Sequence, residues 1–118
     1  MSKVQSFKDL IIWQKSHQLT LKIYKLTKQF PDAEKFGITS QIRRAAYSIP
    51  SNIVEGHSWN SNKEFKYFLS IAKGSLSELE YFLILNKDLE YIAVDEFKEF
   101  DAKVVEISKI LYSFTKNL

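Results

Sequence analysis

The chain has 118 residues, which is long enough for a hydrophobic core of its own, and we expect a single domain over residues 1–118. Hydrophobic residues at 45% exclude a disordered chain, only 3 Gly and 2 Pro argue against a many-turned sandwich or barrel, and the absence of Cys excludes disulfides and thiolate metal sites. The net charge of +3 is uneven: residues 1–59 hold nine Lys or Arg against four Asp or Glu, so the N-terminal half would meet a polyanionic partner.

The first predicted helix runs from Phe7 to Phe30 and stops before Pro31, whose ring cannot continue a helix. Its apolar positions form two stripes that together cover an arc of roughly 200°, about twice what the core face of one bundle helix needs. The arc indicates either a helix sunk deeply between its neighbours or a second buried surface against another subunit. We predict the subunit interface on one stripe, at Ile12, Leu19, Ile23 and Leu26.

The second predicted helix opens after Gly37, with Thr39 as the expected N-cap, and Gly56 is expected to end it as the residue after the C-cap. Pro50 lies within this segment and removes one backbone hydrogen bond, which predicts either a kink or a break. We favour a kink, because apolar residues keep helical spacing through the proline, at Ile42, Ala46, Ile49 and Ile53.

A third helix is predicted to open at the Ser61-x-x-Glu64 capping box and to run to about Leu89. A fourth begins near Val94 or Asp95 and shows a sustained heptad pattern to the end of the chain. Short connections between long amphipathic helices make neighbours antiparallel, so we predict an all-α fold, an antiparallel up-down four-helix bundle. Small residues are expected to let backbones approach closely, at Ala45, Ala46, Ser48, Ser51 and Gly74.

The sequence offers little for catalysis. His17 and His57 are the only histidines, and neither has a carboxylate three or four residues away. A Glu-x-x-His di-iron motif, a glycine-rich phosphate loop and the common hydrolase motifs are all absent from the sequence. We therefore expect no enzyme, no cofactor, no metal site and no catalytic residue. No apolar run reaches the roughly 18 to 20 residues of a membrane span, so we expect a cytoplasmic protein without a membrane partner.

The basic residues are better organised. Lys15, Lys22 and Lys25 fall on one face of the first helix, and Arg43 and Arg44 lie in the first turns of the second. Lysines on a helix face are most often a solvated surface, whereas the planar guanidinium of Arg suits a phosphate or a carboxylate. The two arginines therefore predict either nucleic-acid contacts or ion pairs with acidic residues, for which the candidates are Glu55, Glu78 and Glu80.

Several runs of residues carry a resemblance to a known family. They are Phe7 to Leu10 with Trp13 and Gln14, Phe36 to Ala46, Ser48 to Gly56, Lys63 to Phe65, and Gly74 to Glu80. With these runs the chain resembles the four-helix-bundle proteins encoded by intervening sequences in bacterial 23S rRNA genes. The most specific part is the long, irregular stretch from Ser40 to Gly56. That family is also similar to the accessory variability proteins of diversity-generating retroelements.

The resemblance implies a four-helix bundle that assembles as a homopentameric ring. The retroelement proteins are basic pentamers that bind nucleic acid and a reverse transcriptase, and neither group brings catalytic residues. Two functions follow as hypotheses. The first is an oligomer that binds RNA or DNA through Lys15, Lys22, Lys25, Arg43 and Arg44; the second is a scaffold or accessory subunit that binds a protein partner, with these charges serving solubility.

Overall fold

The computed structural model describes residues 6–118, which fold into four α-helices and two short 3-10 turns without a strand in that range. The α-helices are α1 Ile11–Thr27, α2 Ile38–Ser58, α3 Asn62–Asp88 and α4 Val94–Lys116, and the 3-10 turns are Phe7–Asp9 and Asp32–Glu34. Apolar residues at helical spacing therefore produce the predicted all-α fold. The molecule is elongated, with principal extents of 49 × 25 × 20 Å.

The first helix is shorter than predicted at both ends. Leu10 has extended backbone angles, φ −79° and ψ 124°, and separates the 3-10 turn Phe7–Asp9 from α1. Two side chains fix this break: the Ser6 hydroxyl accepts a hydrogen bond from the Lys8 amide at 3.1 Å, and the Gln14 side chain donates to the Lys8 carbonyl at 2.8 Å. The turn still places Leu10 in the core, where it is 8% exposed.

The stripe of Ile12, Leu19, Ile23 and Leu26 lies inside the core of the single chain, where these side chains are 1, 2, 0 and 6% exposed. The helices of the same chain already cover them, so no surface remains there for another subunit. This corrects the prediction that these residues form a subunit interface. The structure instead has the other arrangement, in which α1 is sunk deeply against α2 and α4.

Pro50 lies inside α2, and the helix continues through it from Ile38 to Ser58. The alternative of a helix break at Pro50 is therefore wrong, and the prediction that the helix continues through the proline is confirmed. Because proline has no amide hydrogen, the Ala46 carbonyl loses its normal donor four residues later. The Thr20 hydroxyl of α1 lies 3.1 Å from the Ala46 carbonyl and 2.8 Å from the Ser16 carbonyl, so its one hydrogen is shared between the two and replaces that donor in part.

Two glycines differ from their predicted roles. Gly56 lies within α2 rather than after it, and a Cβ there would lie 2.8 Å from Phe68 Cβ and 2.9 Å from a ring carbon of Phe65. Gly56 therefore allows α3 to approach α2 closely. Gly74 is exposed on α3, and a Cβ added there would meet nothing within 4 Å, so the prediction of a close backbone approach at this glycine is wrong.

The last two helices begin as predicted. The Ser61 side chain accepts a hydrogen bond from the Glu64 amide at 3.3 Å and caps α3. At α4, the Glu96 carboxylate accepts one from the Ala93 amide at 2.9 Å. The packing pairs the start of α3 with the end of α4, because the rings of Phe65 and Phe114 meet edge to face at 5.5 Å.

We expect the two glycines to respond oppositely to the same substitution. Gly56→Ala should lower the free energy of unfolding by about 1–3 kcal/mol, because the methyl group meets two phenylalanine side chains. Gly74→Ala should raise it by about 0.5–1 kcal/mol, because it only removes backbone freedom from an open helical position. Urea unfolding measures both. Equal effects would contradict the assigned packing.

A double-mutant cycle tests the link between Thr20 and Pro50. Thr20→Val should lower the free energy of unfolding by about 1–3 kcal/mol, because it leaves the buried Ala46 carbonyl without a donor. Pro50→Ala restores an amide for that carbonyl, so the cost of Thr20→Val should fall by at least half in that background. The same cost in both backgrounds would show that Thr20 does not compensate for the proline.

Candidate nucleic-acid interface

The surfaces of α1 and α2 are basic because they hold almost no acidic residues. Ile11–Thr27 contains no Asp or Glu, and Ile38–Ser58 contains only Glu55, close to its C-terminal end. Lys22 and Lys25 are exposed on α1 and form no ion pair with the described residues. The two helices thus carry positive charge with almost no negative charge to offset it.

Lys15 and Arg43 serve contacts within the chain. Lys15 forms an ion pair with Glu106 of α4 at 3.3 Å. The Arg43 Nε donates to the Thr27 hydroxyl at 2.7 Å, its Nη2 donates to the Tyr24 carbonyl at 3.3 Å, and its guanidinium lies 4.5 Å from the centre of the Tyr24 ring. Arg43 therefore ties the last turn of α1 to the first turns of α2, a role that the sequence did not indicate.

Arg44 differs from its neighbour. It is exposed, and its Nη2 donates only a long hydrogen bond of 3.4 Å to the Gln41 side chain on the same helix. Neither arginine pairs with Glu55, Glu78 or Glu80, so within residues 6–118 the predicted ion pairs are absent. The Arg44 guanidinium and the ammonium groups of Lys22 and Lys25 therefore form no ion pair within residues 6–118.

A concave surface of about 320 Å³ lies where the end of α1 meets the start of α2. We call it the α1–α2 groove; it is lined by Tyr24, Lys35, Phe36, Thr39, Ser40, Arg43, Arg44 and Tyr47. Three of these residues are exposed aromatics, and Phe36 is 90% exposed, which is unusual for a large apolar side chain. The groove therefore combines cationic side chains with open aromatic rings.

Thr39 forms part of the same groove in a way that differs from the prediction. It lies in the first turn of α2 and is not the N-cap, a position held by Gly37 without any side-chain cap. Thr39 is 8% exposed, and its hydroxyl oxygen is buried without a hydrogen-bond partner in the described part of the chain. Such a hydroxyl is unusual, because buried polar groups are nearly always paired.

The loop before α2 is held by Glu34. Its carboxylate accepts a hydrogen bond from the Tyr91 hydroxyl at 2.9 Å, which joins this loop to the connection between α3 and α4. That hydrogen bond, together with desolvation and the negative charge of Glu34, raises the pKa of the Tyr91 phenol above its ordinary value of 10.0. The neighbours of Phe36 are thereby fixed on both sides, by Glu34 and by the start of α2.

A second groove, of about 570 Å³, separates α3 from α4, and we call it the α3–α4 groove. Its floor is apolar, with Leu69 and Leu111, and Tyr112 at its side is 69% exposed. Three lysines also line it: Lys66, Lys73 and Lys109.

Neither histidine belongs to a cluster that could hold a metal ion, and residues 6–118 contain no group of three or more His, Asp or Glu side chains with such an arrangement. His17 stacks on Trp13 with ring centres 4.9 Å apart and planes 9° from parallel. His57 lies within α2, half buried, and its ring meets that of Phe65 edge to face. Both imidazoles are explained by packing.

The structure brings together part of the predicted site. Lys22, Lys25 and Arg44 remain exposed on adjacent helices, whereas Lys15 and Arg43 make contacts within the chain. The sequence reasoning missed the aromatic rings of Phe36 and Tyr47. Their signal was present, because each lies within three residues of Lys35 or Arg44 at the predicted start of a helix.

Many binding proteins are all-α and have a basic surface, so these features define only a broad class. Comparison with known proteins defines the family. The family model for the 23S rRNA-intervening sequence protein matches residues 8–113, so the chain belongs to that family. A search of the curated proteins gave no match.

Among solved structures, the chain is similar to a protein of unknown function from the S23 ribosomal protein family of Bacteroides thetaiotaomicron. The two are 32% identical, the match covers 90% of this chain and 96% of that one, and the TM-score is 0.83. In the part of the chain that the structure describes, no helix is long and apolar enough to cross a membrane.

Proposed function

We propose that this protein is a non-enzymatic, cytoplasmic oligomer that binds RNA or DNA through the basic surface of α1 and α2. The observation that carries the proposal is the exposure of Lys22, Lys25 and Arg44 on two helices that hold one acidic residue between them, Glu55. Lys15 and Arg43 contribute positive potential from positions fixed by contacts within the chain. Membership of a family named for a 23S rRNA intervening sequence supports the same proposal.

Contacts of this kind act on the phosphate backbone. Each Lys or Arg that neutralises a phosphate releases counterions, so the affinity should fall steeply with salt and depend weakly on sequence. Binding by one chain should be weak, because only a few cations are free. A ring that repeats the same surface in every subunit would raise the affinity without any new type of contact.

The charge proposal is tested with two double variants of equal charge change. Lys22→Gln with Lys25→Gln should weaken binding to unrelated RNA and DNA sequences alike, and should lower the slope of log affinity against log salt by about 1 for each lysine that no longer meets a phosphate. The control is Lys98→Gln with Lys116→Gln, which removes two exposed lysines from the more acidic α4. Gel shifts at several salt concentrations measure both. Equal weakening by the two variants, or no retardation of wild type at low salt, would favour the protein-scaffold alternative.

We further propose that the chain is an antiparallel up-down bundle and that it forms a homopentameric ring. The pairings of Thr27 with Arg43, of Gly56 with Phe65, and of Phe65 with Phe114 each join the end of one helix to the start of another and support antiparallel neighbours. The stripe on α1 is covered within the chain, so the subunits need another surface. The α3–α4 groove offers Tyr112, which is 69% exposed and suits a contact with a second copy of the chain, whereas Leu69 and Leu111 beneath it are already covered within the chain.

Sedimentation tests the assembly. Wild type should sediment with several times the 13.8 kDa mass of one chain, and Tyr112→Asp should give smaller species with unchanged helix content. Tyr81→Asp is the matched control, because Tyr81 is also exposed on a helix, at 56%, but does not line the groove. A monomeric wild type at micromolar concentration would overturn the ring. Dissociation by both variants would place the interface elsewhere.

A further inference from the structure

The α1–α2 groove contains exposed aromatic rings as well as positive charge. Tyr24 serves the fold through the Arg43 guanidinium on its ring. Within residues 6–118, Phe36 is met only by the Lys35 ammonium, 5.6 Å from its ring centre. Phe36 is 90% exposed, so it buries almost nothing. Tyr47 and Tyr24 are 45% and 37% exposed on the same groove. Exposed aromatic rings carry an unfavourable hydration free energy, and a patch of them on a charged surface indicates a ligand with a flat apolar face.

The polar lining of the groove indicates that the ligand also carries an anion. Lys35 and Arg44 are exposed, and Arg43 uses Nε and Nη2 for its contacts with α1. Thr39 also lines the groove, and its hydroxyl oxygen is buried without a hydrogen-bond partner among the described residues, which is a second, independent observation at this site. The Glu34 carboxylate on the neighbouring loop accepts a hydrogen bond from the Tyr91 hydroxyl, and no Asp or Glu lines the groove in the described part of the chain.

We propose that the α1–α2 groove binds an unpaired nucleotide of a single-stranded RNA or DNA, and this inference rests on the proposed function. The base stacks on Phe36 and Tyr47, and its phosphate meets Arg44 and Lys35. A volume of about 320 Å³ lies at the low end of the range for small-ligand sites and suits one nucleotide. A duplex hides the faces of its bases, so it can reach the cations of this surface but not the rings.

Anisotropy titrations with two labelled RNA probes of equal length test the proposal, one a uridine oligomer and the other a duplex. Phe36→Ala should weaken binding of the single strand about 5- to 150-fold, the range for loss of one stacked base, and should change duplex binding less than twofold. Phe36→Trp should retain single-strand binding, whereas Phe36→Leu should not, because leucine is apolar but has no π face. Tyr81→Ala removes an exposed ring elsewhere and should change neither.

Failure of this inference can be told apart from failure of the proposed function. If Lys22→Gln with Lys25→Gln weakens both probes while Phe36→Ala weakens neither, the protein binds nucleic acid and the stacking site is wrong. If wild type retards no polymer, a titration with uridine 5′-monophosphate and one with inorganic phosphate, each followed by NMR, still test the groove. Shifts of the Phe36, Thr39 and Tyr47 amides with the nucleotide but not with phosphate support a base site. Shifts with neither ligand, or equal shifts with both, would overturn it.

Discussion

The hydroxyl of Thr20 links α1 to α2 at the turn where Pro50 removes a backbone hydrogen bond. Pro50 deprives the Ala46 carbonyl of its donor in the middle of a buried helix, and an unpaired carbonyl there costs about 1–3 kcal/mol. The Thr20 hydroxyl of α1 lies 3.1 Å from this carbonyl, so the hydrogen bond that α2 lacks at Pro50 is replaced in part by one between α1 and α2. The same hydrogen bond joins α1 to α2 near the middle of each helix.

Close contact on the other side of α2 completes its burial. Ala45, Ala46 and Gly56 have small or absent side chains and are nearly or fully buried, which lets the neighbouring helices approach. With α1 on one side and α3 on the other, α2 has little freedom to tilt, because protein interiors are packed to crystal-like density. Arg43 adds a third link near the end of α1, where Thr27 and Tyr24 accept its hydrogen bonds. The groove is thus built on rigid elements.

Helical periodicity and capping predicted the all-α fold, the number of helices and the start of α3, because these depend on local spacing and on one side chain, Ser61. The sequence could not show which of the two α1 stripes faced the core, since that depends on where α2 and α4 lie. For the same reason the sequence predicted a helix end at Gly56, although the role of this glycine depends on Phe65 and Phe68 of α3, which pack against it. At the site, Lys22 and Lys25 could be predicted as exposed, but the use of Arg43 within the chain could not.

Adjacent arginines illustrate why one motif can serve two purposes. Successive helical residues lie about 100° apart, so Arg43 faces α1 while Arg44 faces outward. The first, held by a hydroxyl, a carbonyl and a tyrosine ring, stiffens the wall of the groove. The second loses little by giving up its 3.4 Å bond to Gln41 when a phosphate arrives. A fixed guanidinium beside a free one lowers the ordering cost of binding, because Arg44 is the one arginine of the pair that must be immobilised, at about 0.5–1.5 kcal/mol. This arrangement favours a nucleotide site with few contacts over a broad electrostatic surface alone.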